Sequence, residues 1–221
     1  MVVLVIAVAL GTLPGMTDAP ARLRAIFDEH LATVQRSRDQ LLPVVAELGA
    51  DLCAALDSDH KLVTFGNGGS AADAQHFAAE LTAHFKAERD PLPAIALTVD
   101  SSALTAISND YGYADVFARQ ATALCRPGDL VIAISTSGRS ESVIRGIQAA
   151  CARGARTWGF TGGSGGRLRE VVDRCIIVPS TETARIQEVH ITIIHALCAL
   201  IDDHFVTEDL GRRLLTANQP R

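Results

Sequence analysis

The stretch FGNGGSAADAQHFAAEL, residues 65–81, carries two side chains that could do chemistry together. His76 and Glu80 are four positions apart in a helical pattern, so they project side by side, one turn apart. An imidazole beside a carboxylate could bind a divalent metal ion or transfer protons. Such pairs more often belong to a solvated helix surface, so this one needs support from elsewhere in the chain.

Gln187 and His195 form a second group, in the segment RIQEVHITIIH at residues 185–195. A histidine in so apolar a helix is more often a hydrogen-bonded core residue than a ligand. The two side chains are eight residues apart, about 12 Å along a helix, so they could meet at one ion only by stretching towards each other. This spacing predicts that one of them reaches a site in a neighbouring chain.

Two loops of small residues could bind an anion. Each follows an apolar run typical of a strand and precedes a helical pattern, an arrangement that exposes backbone N–H groups and the positive end of a helix dipole. The first loop comprises Asn67, Gly68, Gly69 and Ser70, and the second contains Ser135, Thr136, Ser137 and Ser140.

Neither loop matches a nucleotide-binding motif, because no Lys follows the glycines of the first loop and its spacing is not GxGxxG. Glycine and serine are also ordinary turn and helix-capping residues, so one such loop alone would prove little. Two of them at the carboxyl ends of parallel strands, where ligands bind in such sheets, favour a sugar phosphate site.

The elements that must position these residues alternate along the chain. Short apolar runs rich in β-branched residues are separated by helical segments, which predicts a parallel sheet covered by helices on both faces. The fold class is therefore α/β, a three-layer αβα sandwich. The predicted strands are 61–66, 94–98, 130–135, 156–161 and 174–179, and the predicted helices are 70–86, 102–107, 113–125, 141–152, 167–172 and 183–205.

Residues 19–56 precede the first strand and are helical in pattern. Leu23, Ile26, Phe27 and Leu31 lie along one face, which could cover the sheet or pair with another subunit. A proline at position 43 predicts a break into a second helix.

The composition is that of a single globular domain. Of the 221 residues, 48% are hydrophobic, enough for a substantial core. The net charge of -5 arises from 25 acidic and 20 basic residues mixed along the chain, so no electrostatic signature for nucleic acid or an acidic membrane is present. Five cysteines without a CxxC motif predict reduced core residues and a cytoplasmic protein.

Residues 1–15 begin with an apolar run that is too short to span a bilayer and lacks the basic region of a signal peptide. Met16 opens MTDAPARL, a conventional start for a soluble chain. We expect residues 1–15 to be an extension outside the core and residues 16–221 to form one domain.

Four segments together resemble the phosphoheptose isomerases, which convert sedoheptulose 7-phosphate to a manno-heptose 7-phosphate. They are GNGGSAADAQHFAAELT from residue 66, SND from 108, ISTSGRS from 134 and ARIQEVHITIIH from 184. The resemblance extends from about residue 23 to residue 202. It implies the sugar isomerase (SIS) fold with a five-stranded, flavodoxin-like parallel sheet, and a homotetramer with active sites between subunits.

The same resemblance implies a site. Several family members bind zinc, and His76, Glu80, Gln187 and His195 match the metal positions. Glu80 and His195 also match the acid/base pair. The candidate substrate-binding residues are Asn67, Gly68, Gly69, Ser70, Asp110, Ser135, Thr136, Ser137, Ser140 and Gln187.

Two positions depart from that family pattern. The family carries Arg where this chain has His84, and Asp where it has Ala184. Both positions lie near the site in the family, so they leave the substrate, the rate and the anomer open, whereas the acid/base pair is intact.

Other functions fit parts of the same pattern. A replication-initiation factor of this fold, which binds the initiator protein, is very similar around the first loop and RIQE, but its group lacks a histidine at position 195. Sugar-phosphate-sensing regulatory domains are usually attached to a DNA-binding or catalytic partner, for which we expect no room here. His195 therefore favours an enzyme, an isomerase of this or another sugar phosphate.

Overall fold

A computed structural model describes residues 18–217, in which five strands alternate with helices as predicted. The predicted extension, residues 1–15, lies outside this part of the chain. The strands are β1 (Leu62–Gly66), β2 (Ala94–Ala96), β3 (Leu130–Ile134), β4 (Arg156–Gly162) and β5 (Arg174–Val178). The helices are α1 (Ala19–Asp57), α2 (Gly69–Thr82), α3 (Ser101–Tyr111), α4 (Val116–Leu124), α5 (Glu141–Ala152), α6 (Leu168–Val171) and α7 (Thr183–Ala217), and a 3₁₀ turn covers Tyr113–Asp115.

All five strands run parallel, in the order β2-β1-β3-β4-β5. This is the flavodoxin-like order expected from the sequence. The chain leaves β1 towards β2 on one side of the sheet and leaves β3 towards β4 on the other. The direction of winding therefore reverses between β1 and β3, which opens a crevice at their carboxyl ends, where both small-residue loops begin.

The strands supply side chains to a core on each face of the sheet. In β3, Leu130, Ile132 and Ile134 join the core beneath α1, α2 and α7, whereas Val131 and Ala133 join the core beneath α4 and α5. All five residues are buried. A strand buried on both faces shows a continuous apolar run rather than alternation, which is why the sequence indicated a parallel sheet.

Helix α1 is continuous through Pro43, so the predicted break there is wrong. A proline inside a helix removes one backbone hydrogen bond and crowds the carbonyl group four residues earlier. Here Leu41, Val45 and Leu48 pack into the core on both sides of the proline, which is itself exposed. Burial of these side chains holds the helix together across the lost bond.

The first turns of α1 do not cover the sheet. Leu23, Ile26, Phe27 and Leu31 are between 45% and 67% exposed, and buried residues of α1 begin only at Thr33. We call these four side chains the α1 apolar face. The expectation that the helical segment covers the sheet is therefore met from Thr33 onwards, and not by these four residues within the single chain.

Four of the predicted helices differ clearly in their bounds, and the largest difference is in α7, which continues to Ala217 rather than ending at residue 205. Helix α2 ends at Thr82 rather than at residue 86, because the backbone leaves the helical conformation at Ala83. Helix α3 extends to Tyr111, where Gly112 ends it with a φ of 89°. The predicted helix 113–125 is a 3₁₀ turn followed by α4.

Helix α7 contains a segment, Thr183–Val206, that is long and apolar enough to cross a membrane by length and composition alone. Half of that segment is buried inside the fold. Ile186, Val189, Ile194 and Leu197 lie in the core against the sheet and α1. Core packing therefore accounts for the apolar character of this helix.

Burial raises the thiol pKa of three of the five cysteines. It raises the pKa of the Cys125 thiol to about 11 and those of Cys175 and Cys198 to about 12. A protonated thiol in apolar surroundings is unreactive, as expected of a small core residue. Cys151 differs, because it is exposed at the surface.

His190 lies on α7 against the end of β4 and is fully buried. Its Nε2 atom is 3.2 Å from the carbonyl oxygen of Thr161, and its Nδ1 atom has no hydrogen-bond partner among the described residues. Burial lowers the pKa of His190 to about 4, an effect that the contact with Thr161 only partly opposes. The imidazole is therefore neutral near pH 7.

We expect His190 to make the folded state sensitive to acid. The unfolded chain takes up this proton near pH 6.5 and the folded chain only near pH 4, so the contribution to stability is complete above pH 6.5 and is lost as the pH falls towards 4. At about 1.4 kcal/mol per pH unit, the loss is about 3 kcal/mol. Urea unfolding across this range should show the loss in the wild type and not in His190→Gln, whose amide can still donate to Thr161.

An exposed histidine provides the control. His84→Gln should retain the pH dependence of the wild type, because His84 is exposed and not part of the core. The same loss of unfolding free energy in the wild type and in His190→Gln would contradict the assignment to His190.

Candidate active site

Helices α2 and α7 lie side by side and run in the same direction. Gly69 of α2 contacts the side chain of Gln187 of α7, and further along both helices His76 contacts His195. The two helices are therefore parallel. The Nε2 atoms of His76 and His195 are 3.1 Å apart, and Nε2 of His76 is also 3.1 Å from Oε1 of Glu80. His76 therefore connects the two residues predicted as the acid/base pair.

Ring contacts orient these imidazoles. The Phe85 ring stacks on His195, with centroids 5.5 Å apart and 24° between the ring planes, and the two imidazole centroids are 5.1 Å apart. One imidazole donates and the other accepts at the Nε2 contact, so their tautomers are linked. The side chains of His76 and Glu80 are 43% and 22% exposed, which leaves them accessible to a substrate.

The structure places Gln187 apart from this group. Its side-chain amide lies against Gly69, at the start of α2. Gly69 precedes His76 by seven residues, about 10 Å along the helix. The single chain thus places Glu80 and His195 each beside His76, and metal binding by these three residues and by Gln187 stays a prediction. The sequence predicted that either Gln187 or His195 reaches a site in a neighbouring chain. His195 contacts His76 of its own chain, so His195 gives no support to a site between subunits.

The two small-residue loops meet at the carboxyl ends of β1 and β3. Asn67 of the first loop donates from Nδ2 to the hydroxyl oxygens of Ser140 and Ser142, at 2.7 and 3.0 Å. Its Oδ1 atom accepts a hydrogen bond from the Tyr113 hydroxyl at 2.7 Å. Tyr113 and Ser142 were missed in the sequence, because neither belongs to a motif and only the fold brings them to this loop.

No side chain caps either of the helices that follow these loops. Gly68 and Ser140 stand at the N-cap positions of α2 and α5. In α2, the N–H groups of Ser70 and Ala71 turn back to loop carbonyl oxygens. Uncapped N–H groups at a helix start, with the positive end of the dipole, are suited to binding an anion.

The other predicted loop residues lie at different depths. Ser70 and Ser135 are buried, Thr136 is partly buried and Ser137 is exposed. The N–H group of Ser135 donates to the carbonyl oxygen of Phe160, which ties the second loop to β4. Loops held in this way present their hydroxyl groups before a ligand arrives.

Asp110 lies in the last turn of α3 and is exposed. It accepts a hydrogen bond from the side chain of Asn109 at 2.8 Å. Helix α3 has no fully buried residue, and Leu104 and Ile107 pack, partly buried, against the core. The predicted contact of Asp110 with a substrate stays a prediction.

Several known proteins are similar to this chain in sequence and in fold. Residues 26–162 match the family model described as SIS domain. The chain is 57% identical over 154 residues to a probable phosphoheptose isomerase of Thermoplasma acidophilum, covering 70% of this chain and 85% of the relative. It is 54% identical over 182 residues to the phosphoheptose isomerase of Aquifex aeolicus, covering 82% and 95%. The solved phosphoheptose isomerase of Neisseria gonorrhoeae is 43% identical, with a TM-score of 0.80, covering 84% of this chain and 99% of that one.

The chain belongs to the phosphoheptose isomerase family. It is an enzyme of the isomerase class, and the family and fold class predicted from the sequence are confirmed.

The donor atoms of this phosphoheptose isomerase site fit the zinc ion that the resemblance implies. Two imidazole nitrogens and a carboxylate oxygen are ligand types that zinc prefers. The separation of 3.1 Å between the nitrogens of His76 and His195 is close to the about 3.3 Å between two ligands of a tetrahedral zinc ion. In the part of the chain that the structure describes, no three His, Cys, Asp or Glu side chains already surround one point. The site therefore matches zinc in the types of its donor atoms and in the distance between His76 and His195.

The two departures from the phosphoheptose isomerase pattern both lie at the surface. His84 is exposed, 3.9 Å from Glu88, and immediately precedes Phe85, which stacks on His195. Ala184 is exposed in the first turn of α7. Neither departure changes the contacts among the acid/base residues.

Asp73 lies on the face of α2 that carries His76, and it was not identified from the sequence. It precedes His76 by three residues, and its Oδ2 atom is buried without a hydrogen-bond partner among the described residues. Burial raises the pKa of Asp73 to about 6, and the nearby His76 opposes this rise. The spacing of three residues was the only signal, and such pairs are too common on helices to single it out.

A buried ion pair fixes the end of α2. Arg89 donates from its guanidinium group to the carbonyl oxygen of Glu80 at 2.9 Å, and its Nε atom donates to Asp202 of α7 at 2.9 Å. Both side chains are at most 5% exposed. Asp202 also accepts from the N–H groups of Lys86 and Ala87. The pair ties the end of α2 and the following segment to α7.

We expect Asp202→Asn to destabilise the fold strongly. Burial alone would raise the pKa of Asp202, but its bonds from two backbone N–H groups and from Arg89 hold that pKa below its usual range, so the carboxylate is charged. Without this charge Arg89 is left buried and unpaired, which costs about 3–5 kcal/mol. Urea unfolding at neutral pH should show a loss of about 3 kcal/mol or more in the free energy of unfolding.

Glu141→Gln is the matched control for the loss of one carboxylate charge. Glu141 pairs with Arg145 and Arg167 at the surface, where all three side chains are between 43% and 57% exposed. Exposed pairs contribute little, so we expect little or no change in the free energy of unfolding. Similar losses in both variants would contradict a special role for the pair between Arg89 and Asp202.

Proposed function

We propose that this chain is an aldose–ketose isomerase that converts sedoheptulose 7-phosphate to D-glycero-D-manno-heptose 7-phosphate. The observation that carries the proposal is the spacing along α2. Ser70, in the loop suited to phosphate, and His76, beside the acid/base pair, are six residues apart, about 9 Å along the helix. An extended seven-carbon sugar phosphate has a comparable distance between its phosphate and its reacting carbons.

The reaction exchanges a ketone at C2 for an aldehyde at C1. A proton leaves C1 while the oxygen at C2 gains one, which gives an enediol, and C2 then gains a proton while the oxygen at C1 loses its own. One group must therefore handle the carbon-bound proton and a second group must handle the protons on oxygen. We assign these two roles to Glu80 and His195.

His76 supports this assignment through its contacts. Its Nε2 atom is 3.1 Å from both Glu80 and His195. When that nitrogen carries a proton it can donate to Glu80, and when it does not it can accept a hydrogen bond from His195. The tautomer of His76 thereby determines which of its two neighbours holds a mobile proton.

We propose that zinc assists the reaction. His76, Glu80 and His195 would hold the ion, with Gln187 as the fourth predicted ligand. When bound, zinc supplies Lewis acidity that stabilises negative charge on the sugar oxygens. A carboxylate or an imidazole nitrogen engaged by a cation is a poorer base, so an ion at this site would lower the basicity of the residues that hold it.

Neutral groups bind the phosphate in this proposal. The hydroxyl groups of Ser70, Ser135, Ser137 and Ser140 and the first N–H groups of α5 lie around the crevice between β1 and β3. Helix N-termini favour a dianion without any lysine in the loops. This explains how a chain with a net charge of -5 could hold a sugar phosphate.

We expect the purified protein to convert sedoheptulose 7-phosphate to the aldoheptose 7-phosphate, followed directly by NMR. Chelation of divalent ions should lower turnover, and zinc should restore it. Glu80→Gln keeps the size and hydrogen bonding of the side chain but cannot accept the proton, so turnover should fall by about 10²- to 10⁴-fold.

Glu88→Gln is the matched control, because Glu88 is a nearby carboxylate with a side chain that is 90% exposed. It should retain the turnover of the wild type. Near-normal turnover by Glu80→Gln would refute the role of Glu80. Absence of turnover in zinc-loaded wild type would instead favour a different sugar phosphate, selected by His84 and Ala184, or a binding role.

We also propose that the chain assembles as a homotetramer in the cytoplasm, with active sites between subunits, as the family resemblance implies. The α1 apolar face is exposed in the single chain, and contiguous apolar surface of this kind usually marks an interface. Further along the same helix, Leu42 is 60% exposed beside an apolar groove between α1 and α7. A second copy of this chain is the proposed occupant.

We expect Phe27→Asp to dissociate the assembly, because it places a charge in the middle of the α1 apolar face. The fold should survive, since Phe27 is 67% exposed in the single chain. Light scattering after size-exclusion chromatography would measure the mass. Val99→Asp, at a residue that is 61% exposed before α3, is the control and should keep the wild-type mass. A monomeric wild type, or an unchanged Phe27→Asp assembly, would contradict the proposal.

A further inference from the structure

The side-chain amide of Asn67 is held by three hydroxyl groups. Tyr113 donates to its Oδ1 atom at 2.7 Å, and its Nδ2 atom donates to Ser140 at 2.7 Å and to Ser142 at 3.0 Å. The two serine oxygens are 3.2 Å apart. These four residues form the Asn67 network, which joins the loop after β1, the loop after β3 and the 3₁₀ turn.

Burial fixes the direction of the hydrogen bonds between the serines. Ser142 is 3% exposed and its oxygen already accepts from Asn67, so its own proton needs an acceptor. The oxygen of Ser140 is within reach at 3.2 Å. Ser140 therefore accepts from both Asn67 and Ser142, and its own proton is directed out of the network. A hydroxyl group that accepts two hydrogen bonds is a stronger donor.

Ser140 does not use its hydroxyl group to cap its own helix. It is the N-cap residue of α5, where a serine oxygen commonly accepts from an N–H group in the first turn. No such side-chain bond forms here, although α5 is 12 residues long. The free proton of Ser140 and the uncapped N–H groups of α5 are thus donors at the same place, and their shared acceptor is an oxyanion.

Tyr113 is fixed where its hydroxyl group reaches Asn67. It begins the 3₁₀ turn that ends at Asp115, and Asp115 accepts two hydrogen bonds from Arg145 of α5, at 3.0 and 3.1 Å. The turn and α5 are therefore connected twice, through this ion pair and through the Asn67 network. Tyr113 itself is 54% exposed, so packing of its ring contributes little to its placement.

We propose that Tyr113 is a positioning residue, which acts through Asn67 and Ser142 to make Ser140 a donor to the phosphate group of the substrate. In the observed orientation the Tyr113 hydroxyl donates to the amide oxygen of Asn67, and the amide nitrogen faces the two serines. Without that hydroxyl the amide can turn over and present its oxygen to the serines, whose protons then turn inwards. The identity of the ligand as a phosphate monoester rests on the proposed function, whereas the direction of the network does not.

Tyr113→Phe tests the inference by removing a single oxygen atom. We expect the KM for sedoheptulose 7-phosphate to rise about 5- to 10-fold, the effect of one lost hydrogen bond, while kcat stays within about twofold of the wild type. The Kd for inorganic phosphate, measured by calorimetry, should rise by a similar factor. Tyr111→Phe is the matched control, because Tyr111 is equally exposed, at 54%, and its ring lies against Arg119. Its KM and Kd should match the wild type.

Ser142→Ala interrupts the same network at its buried end. It should raise the Kd for inorganic phosphate by a factor similar to that of Tyr113→Phe. Because both residues act through Ser140, the double variant should exceed the larger single effect by no more than about twofold. Effects that multiply, or a Tyr113→Phe variant within twofold of the wild type in both KM and Kd, would overturn the inference.

The phosphate measurement separates this inference from the proposed function. A wild type that binds inorganic phosphate but does not turn over sedoheptulose 7-phosphate would refute the proposed function, and the Kd comparison among the variants would still decide the role of Tyr113. A wild type that binds no inorganic phosphate at millimolar concentration would overturn the inference itself.

Discussion

Helices α2 and α7 approach closely at Gly69, where a β-carbon would stand 2.5 Å from the amide nitrogen of Gln187. A larger residue at this position would displace the Gln187 side chain, whose amide occupies the space beside Gly69. Because the helices run in the same direction, the close approach at Gly69 continues seven residues later as the contact between His76 and His195. The distance along α2 between the small-residue loop after β1 and His76 is then set by the rise of one helix.

The ion pair between Arg89 and Asp202 and the Asn67 network secure the two ends of this arrangement. At the end of α2, a guanidinium group and a carboxylate that are almost fully buried connect the carbonyl oxygen of Glu80 to α7. At the start of α2, neutral hydroxyl groups and an amide connect three loops. The end of α2 is held by a charged pair and its start by neutral groups. A compensated charge can be part of a rigid frame, whereas the proposed anion site needs donors that are not neutralised by a counter-ion.

Features that depend on local pattern could be predicted from the sequence. The apolar runs of the parallel strands and the two small-residue loops were evident, because burial on both faces and turn chemistry leave direct signals, whereas the flavodoxin-like sheet was implied by the family resemblance. The break at Pro43 was predicted wrongly, because packing on both sides of a proline is not visible in a propensity. Tyr113, Ser142 and the pair of Arg89 with Asp202 could not be found, since each gains its role from partners that are remote in sequence and only the fold brings together.

The anchored end of α2 also bears on how a substrate reaches the crevice. The segment after α2 carries Phe85 and is clamped to α7 by Asp202, so its displacement would expose a buried ion pair. Helix α3, which carries Asp110 on the other side of the crevice, has no buried residue to lose. Local opening has its lowest free energy where few buried contacts are broken. The side of the crevice formed by α3 therefore loses less buried surface on opening than the side that Asp202 clamps to α7.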